Sequence, residues 1–136
     1  HAFFERLLSH IDIVFANEDE ARAMTGKIGK EAAHTLAGPC HTAVVKCGPR
    51  GAFAVQGDHC VCEPATEVAH VIDTTGAGDF FAGGFLHRHA LSGSLAQCLI
   101  EGSACAGEVI QVIGTQLPET TWQRLRAQSA LRHDKN

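Results

Sequence analysis

Asp79 stands directly behind a Gly76-Ala77-Gly78 turn, and the residues that follow it read as a helix over 79–90. A glycine turn entering a helix leaves backbone N–H groups unpaired and pointing outward, and the helix dipole adds partial positive charge, so an anion is favoured there. A phosphate group fits such a place. The Asp79 carboxylate would lie beside it, placed to take a proton from an attacking hydroxyl, which is the layout of phosphoryl transfer. The same residues would also serve as a plain tight turn, with Asp79 capping the helix and Gly83 and Gly84 letting it pack closely on a neighbour. No Lys-Ser or Lys-Thr pair follows the glycines, as a Walker A loop requires, and the three-glycine spacing of a dinucleotide fingerprint is absent. The turn alone leaves both readings open.

The longer string Asp73-Thr74-Thr75-Gly76-Ala77-Gly78-Asp79-Phe80-Phe81-Ala82-Gly83-Gly84 resembles the second signature of the PfkB carbohydrate kinase family, the ribokinase-like kinases, at every defining position. The resemblance implies that Asp79 is the catalytic base. It also implies that the backbone of Gly76, Ala77 and Gly78 forms the anion hole for the phosphoryl group in flight. Asn17-Glu18-Asp19-Glu20 looks like the family's Asn-x-x-Glu motif, which gives Asn17 and Glu20 the task of organising magnesium, water and the nucleotide phosphates. A hard divalent cation that prefers oxygen ligands and keeps its water suits such a pair. Without the resemblance, the plainer reading makes Asn17 a helix cap and Glu20 a solvated first-turn acid.

Lys46-Cys47-Gly48-Pro49-Arg50-Gly51 is similar to the family's strand-end Gly-x-x-Gly element along the ATP phosphates and ribose, so Lys46, Gly48 and Gly51 are implied nucleotide contacts. The family often has Thr or Ser where this chain has Lys46, and an ordinary hairpin turn is the plainer alternative. Ser103 and Gly107 match the stretch of the penultimate helix that passes the adenine. Many members also hold a monovalent cation beside the anion hole, which here would fall to Asp73 and Thr75 on one side and to backbone carbonyls near Val109, Val112 and Gly114 on the other. ATP and Mg2+, with K+ as the monovalent ion, are therefore the implied cofactors. The implied reaction moves the γ-phosphoryl of ATP to a hydroxymethyl or other alcohol group. Residues 102–114, with Gly83-Gly84-Phe85-Leu86, look closer to the adenosine-kinase-like and sugar-kinase branches than to the vitamin kinases, so the expected acceptor is a sugar or nucleoside.

Residues 1–9 carry apolar side chains on one face, and 11–16 form a short apolar run of strand type. Asn17 then opens a helix with three acids in its first turn, closed by Gly26. An amphipathic stretch over 30–36 leads to a buried strand at 42–46, stopped by the glycine and proline of 47–51. Runs 52–56 and 59–63 flank Gly57-Asp58 as a hairpin. A loop and the pair Val71-Ile72 precede the glycine turn, and further helices are predicted over 94–112 and 118–131. Strands alternating with helices argue for an α/β layer architecture; the resemblance makes it the C-terminal part of a ribokinase-like three-layer α/β/α fold, with a mainly parallel sheet and an antiparallel hairpin.

With 136 residues, 45% of them hydrophobic and 19% charged, the chain has material for one sizeable core, and a single domain is expected. Fifteen acids against eleven bases, without long runs, give no basic face for nucleic acid and no polybasic anchor for a membrane. The apolar runs are too short to span a bilayer, and the start has no signal pattern, so a soluble cytoplasmic protein is expected. Cys40, Cys47, Cys60, Cys62, Cys98 and Cys105 fall at irregular spacings that suit reduced, mostly buried thiols rather than a disulfide framework or zinc site. The nine histidines form no ligand-spaced group, Trp122 reads as core, and 132–136 as a polar, frayed end.

Family members are more than twice this long, and what the resemblance leaves out is the N-terminal half with the lid and most of the grip on the acceptor. His1 in place of an initiator Met favours a fragment, whose uncovered edge should associate; a small-molecule substrate and a homodimer through the absent half are the expected partners. The competing expectation is a nucleotide-binding or assembly module without turnover.

Overall fold

The computed structural model describes residues 2–133. His1 and residues 134–136 lie outside the described residues, so of the expected frayed end only Arg132 and His133 are seen, and both belong to the last helix. The chain divides into two compact units, His1–Pro64 and Ala65–Asn136. Composition allowed one core, whereas the irregular stretch 64–76 separates a sheet with its own core from a set of helices with another.

The first unit runs α1 (Ala2–Leu8), β1 (Ile13–Asn17), α2 (Glu18–Thr25), α3 (Gly29–Ala37), β2 (Thr42–Lys46), a 3-10 turn (Gly48–Arg50), β3 (Ala52–Gln56) and β4 (His59–Glu63). Its sheet has the order β1-β2-β3-β4. β1 and β2 pair in parallel because the α2–α3 crossover carries the chain back between them, with Phe15 opposite Val44. β2–β3 and β3–β4 are antiparallel, since the connections 47–51 and 57–58 are too short for a crossover. Within this chain the sheet is therefore mixed rather than mainly parallel. β2 is buried on both faces from Thr42 to Val45, and its Val45 joins Ala16, Ala32, Ala33, Leu36 and Val55 in the core under α2 and α3. Small alanines on these helices let them lie close to the valines of the sheet.

The second unit contains α4 (Ala77–Ala90), α5 (Leu95–Val109) and α6 (Glu119–His133). Phe81 and Phe85 of α4 pack with Cys98, Leu99 and Ala104 of α5 among its buried residues. Gly84 makes the close approach possible, because a Cβ there would sit 2.6 Å from the Glu101 carbonyl oxygen; Gly83, expected to share this task, faces open space. Arg88 follows Phe81 and Phe85 at helical spacing and is wholly buried, with its Nε and Nη2 donating to Glu101 Oε2 at 2.9 and 2.8 Å. Nη2 also donates to the Ser129 carbonyl at 2.6 Å, so one guanidinium ties α4, α5 and α6 together. The helix predicted over 94–112 ends at Val109. Its last carbonyl region is taken by the preceding loop, where the N–H groups of Ile72 and Asp73 both donate to Ile110 O, at 2.7 and 3.2 Å.

Candidate active site

Asp79 is the third residue of α4 and is exposed to solvent. The helix opens at Gly76, whose φ of 77° is left-handed and whose position carries no side chain to cap the turn. A Cβ at Gly76 would meet Thr115 Cγ2 at 2.7 Å, so glycine is required by the neighbouring loop as well as by the backbone angle. The Ala77 N–H donates to Thr74 O at 3.2 Å, and the helical ladder begins with Phe80 N to Gly76 O at 2.9 Å. The N–H groups of Gly78 and Asp79 stand between these two bonds, in the first turn where a helix has no internal acceptor to offer. Ala77 is thereby the least available of the three residues expected to form an anion hole.

The turn is fixed from below by Asp73. Its Oδ1 accepts from the Thr75 hydroxyl at 2.6 Å and the Thr75 N–H at 2.9 Å, and its Oδ2 accepts from the Gly114 N–H at 3.0 Å. The Thr75 hydroxyl above all, with these two N–H groups, holds the Asp73 carboxyl below its usual range. Asp73, Thr75 and Gly114 are thus brought together, with Gly114 meeting Asp73 through its N–H. The Val109 carbonyl accepts from Val112 N at 3.3 Å and the chain turns at Gly114 with φ 74°.

Ser103 and Gly107 lie on one side of α5 under the segment 66–68. The Ser103 hydroxyl accepts from the Thr66 N–H at 2.8 Å and bonds the Thr66 hydroxyl at 3.1 Å, and a Cβ on Gly107 would meet Val68 and Thr66 at 3.3 and 3.4 Å. Both residues are engaged by this segment.

In the first unit, Asn17 ends β1 and caps α2. Its Oδ1 accepts from the Glu20 N–H at 2.8 Å, while Glu20 Oε2 accepts from the Asn17 N–H at 2.8 Å, a reciprocal capping box. The plainer sequence reading of this pair is therefore present in full, and it leaves Glu20 Oε1 and the Asn17 amide nitrogen outside the box. Among the described residues no group of three or more His, Cys, Asp or Glu converges as a metal cage. The exposed carboxylates of Asp19 and Glu20 beside the Asn17 amide fit magnesium, which keeps several waters and takes few protein ligands.

Lys46 ends β2, and the turn after it closes through Cys47 N to Gly51 O at 2.8 Å and Gly51 N to Gly48 O at 3.0 Å. Asn17, Glu18, Lys46, Gly48 and Arg50 line a cavity of about 360 Å³. Two groups there escaped the sequence reading, the Arg50 guanidinium and the Glu18 carboxylate it pairs with. Their positions 32 residues apart carry no local signal.

The second unit holds a larger cavity of about 520 Å³, with Asp79, Phe80, Trp122, Leu125, Glu101 and Arg126 in its walls. Trp122, expected in the core, is only half-buried and stacks on Phe80 with ring centroids 5.9 Å apart. Gly83, also in the cavity wall, supplies no side chain to fill the space. Burial pushes Glu101's carboxyl up, but hydrogen bonds from Ser129, His87 and Arg88 and the Arg88 charge outweigh it, leaving the carboxyl below its ordinary range. All six cysteines are free. Burial raises the thiols of Cys40 and Cys47, and pushes those of Cys98 and Cys105 up to about 11. No helix among the described residues is long and apolar enough to cross a membrane.

Residues 3–122 match the profile of the pfkB family carbohydrate kinases. The chain is 35% identical over 114 residues to fructoselysine 6-kinase of Shigella flexneri, covering 82% of this chain and 41% of that protein. Among solved structures, adenosine kinase from Sinorhizobium meliloti is 35% identical and superposes with a TM-score of 0.84 over 93% of this chain and 39% of that one. A probable sugar kinase from Rhizobium etli CFN 42 is 36% identical, with a TM-score of 0.85 over 96% and 40%. The fold is accordingly ribokinase-like α/β, and the chain spans about two fifths of the length of the relatives it matches.

Proposed function

Because this chain belongs to the pfkB family of carbohydrate kinases, we propose that it is the C-terminal, nucleotide-binding and catalytic part of an ATP-dependent kinase that phosphorylates an alcohol group of a sugar or nucleoside. The observation that carries the reading is the start of α4. Asp79 sits in the first turn of a helix that opens on a bare glycine, beside N–H groups that precede the hydrogen-bond ladder.

In this reading the Asp79 carboxylate takes the proton of the acceptor hydroxyl as its oxygen attacks the γ-phosphorus. The turn over Gly76, Ala77 and Gly78 presents backbone N–H to the charge that builds on the phosphoryl oxygens, and the donors at Gly78 and Asp79 are the best placed, since that of Ala77 is held by Thr74. Asp73 acts through Thr75 and Gly114, holding the turn in its open shape; the same loop, with carbonyls near Val109 and Val112, would carry a potassium ion. Asn17 and Glu20 orient water and phosphate oxygens, and Lys46, Gly48 and Gly51 border the polyphosphate. When bound, magnesium would neutralise phosphate charge. Ser103 and Gly107 hold segment 66–68 against α5, which shapes the border of an adenine site rather than filling it.

The test is calorimetric titration of Mg·ATP into the protein expressed from its complete reading frame, alongside Asp79→Asn and Gly78→Val, followed by turnover with a panel of sugars and nucleosides. Binding that survives Asp79→Asn, fails with Gly78→Val, and supports turnover only with Asp79 intact is the expected result. Binding without turnover on any acceptor would favour a nucleotide-binding module, and turnover unchanged by Asp79→Asn would sink the assignment of the base.

A further inference from the structure

The nucleotide-side turn and the first turn of α2 are joined by an ion pair that neither motif predicts, Arg50 Nη2 with Glu18 Oε2. The two partners are unequal. Glu18 is the first residue of α2, its side chain is 24% exposed, and it is steadied by the helix N-terminus behind it. Arg50 ends the 3-10 turn, and its side chain is 69% exposed. A surface ion pair of this kind contributes little, so little holds the guanidinium in place. Both residues line the same cavity of about 360 Å³ with Asn17, Asp19, Lys46 and Gly48.

Glu18 and Asp19 put two acids at that cavity, against Lys46 and Arg50, and while Arg50 is held on Glu18 the Asp19 carboxylate stands without a paired cation of the turn. A polyphosphate entering there meets like charge unless a cation turns toward it. A guanidinium bonds phosphate oxygens as a planar fork and does so more strongly than it bonds a solvated carboxylate.

We propose that Arg50 is a nucleotide-phosphate ligand parked on Glu18, and that on arrival of Mg·ATP it transfers from the carboxylate to a phosphate oxygen. This rests on the kinase reading above and deepens it by assigning two residues of the nucleotide site. Glu18 then competes with the nucleotide for Arg50, so the two residues act on affinity with opposite signs. A pair that merely buttressed the turn would give the same sign at both.

The experiment measures Mg·ATP affinity by calorimetry on the protein from its complete reading frame, for the parent, Arg50→Ala, Glu18→Gln and the double variant, with a thermal melt of each. Arg50→Ala should weaken binding about tenfold, the loss of one charge-assisted contact. Glu18→Gln should tighten it about threefold, by releasing a weak surface pair, and the double variant should behave as Arg50→Ala. Equal weakening by both single variants, or no effect of Arg50→Ala on a parent that binds, would overturn this proposal alone. A folded parent that binds no Mg·ATP would overturn the kinase reading and this proposal with it.

Discussion

α2 and α4 both begin at residues proposed for the chemistry, yet the chain finishes the two helix ends in opposite ways. At α2 the side chains of Asn17 and Glu20 close a capping box on the helix's own N–H groups. At α4 the cap position is Gly76, which has no side chain to offer, and the neighbouring donors are left for something else. A satisfied end contributes to stability whether or not a ligand arrives, since each cap replaces a hydrogen bond to water by one within the chain. A bare end contributes to stability only when an anion occupies it. α4 is instead secured at its far end, where Arg88 is buried against Glu101 and Ser129.

The contrast is broken or sharpened most strongly at Asp79. Asp79→Asn should lower kcat by about 10²- to 10⁴-fold, the usual range for a positioned general base, while the melting temperature stays within a degree or two because the side chain is exposed. A large drop in melting temperature would mean that Asp79 is a structural cap like Asn17.

The far end should respond in the opposite way. Arg88→Met strands a buried carboxylate at Glu101, and urea denaturation should show a loss of about 3–5 kcal/mol; a loss under about 1 kcal/mol would mean that α4 is not anchored there. The same pair gives a pH dependence. Glu101 has a folded pKa below its ordinary 4.5, so the unfolded chain binds the proton more readily. Its contribution is complete above that value and is lost as pH falls through the lower, folded one. Stability measured from pH 6 down to 3 should fall more steeply for the parent than for Glu101→Gln, and parallel curves would remove Glu101 from the account.

The smallest effect belongs to the closed end. Asn17→Ala should cost about 1 kcal/mol of unfolding free energy, the typical worth of an N-cap. If Asn17 also serves the nucleotide, Asn17→Ser, which keeps the cap, should restore the stability and not the affinity for Mg·ATP. Full recovery of both would leave Asn17 a cap and nothing more.

Much of this was legible in the residues. The strands 42–46, 52–56 and 59–63 fall where β-branched and alternating residues meet glycine turns, and the cap at Asn17 with its stop at Gly26 is a local code that needs no partner. The end of α5 was misjudged by three residues, because its last turns are capped by the remote N–H groups of Ile72 and Asp73. A clue was present in the β-branched residues Val109, Ile110, Val112 and Ile113, which favour helix less than their apolarity suggests. Arg88 was readable too, since 81, 85 and 88 share a helical face, but a basic residue on a helix is ordinarily assigned to solvent.

By itself the sequence determined the family and the order of elements and singled out the residues proposed for the chemistry, because signature spacing, caps and turns are local and depend on a few adjacent side chains. Tertiary structure decided which of those residues are committed to one another. Asp73 is bound to Gly114 across 41 positions, Arg50 to Glu18 across 32 and Ser103 to Thr66 across 37. Such bonds join segments whose meeting depends on the packing of whole helices and strands, and no periodicity in the chain encodes which polar group will face which.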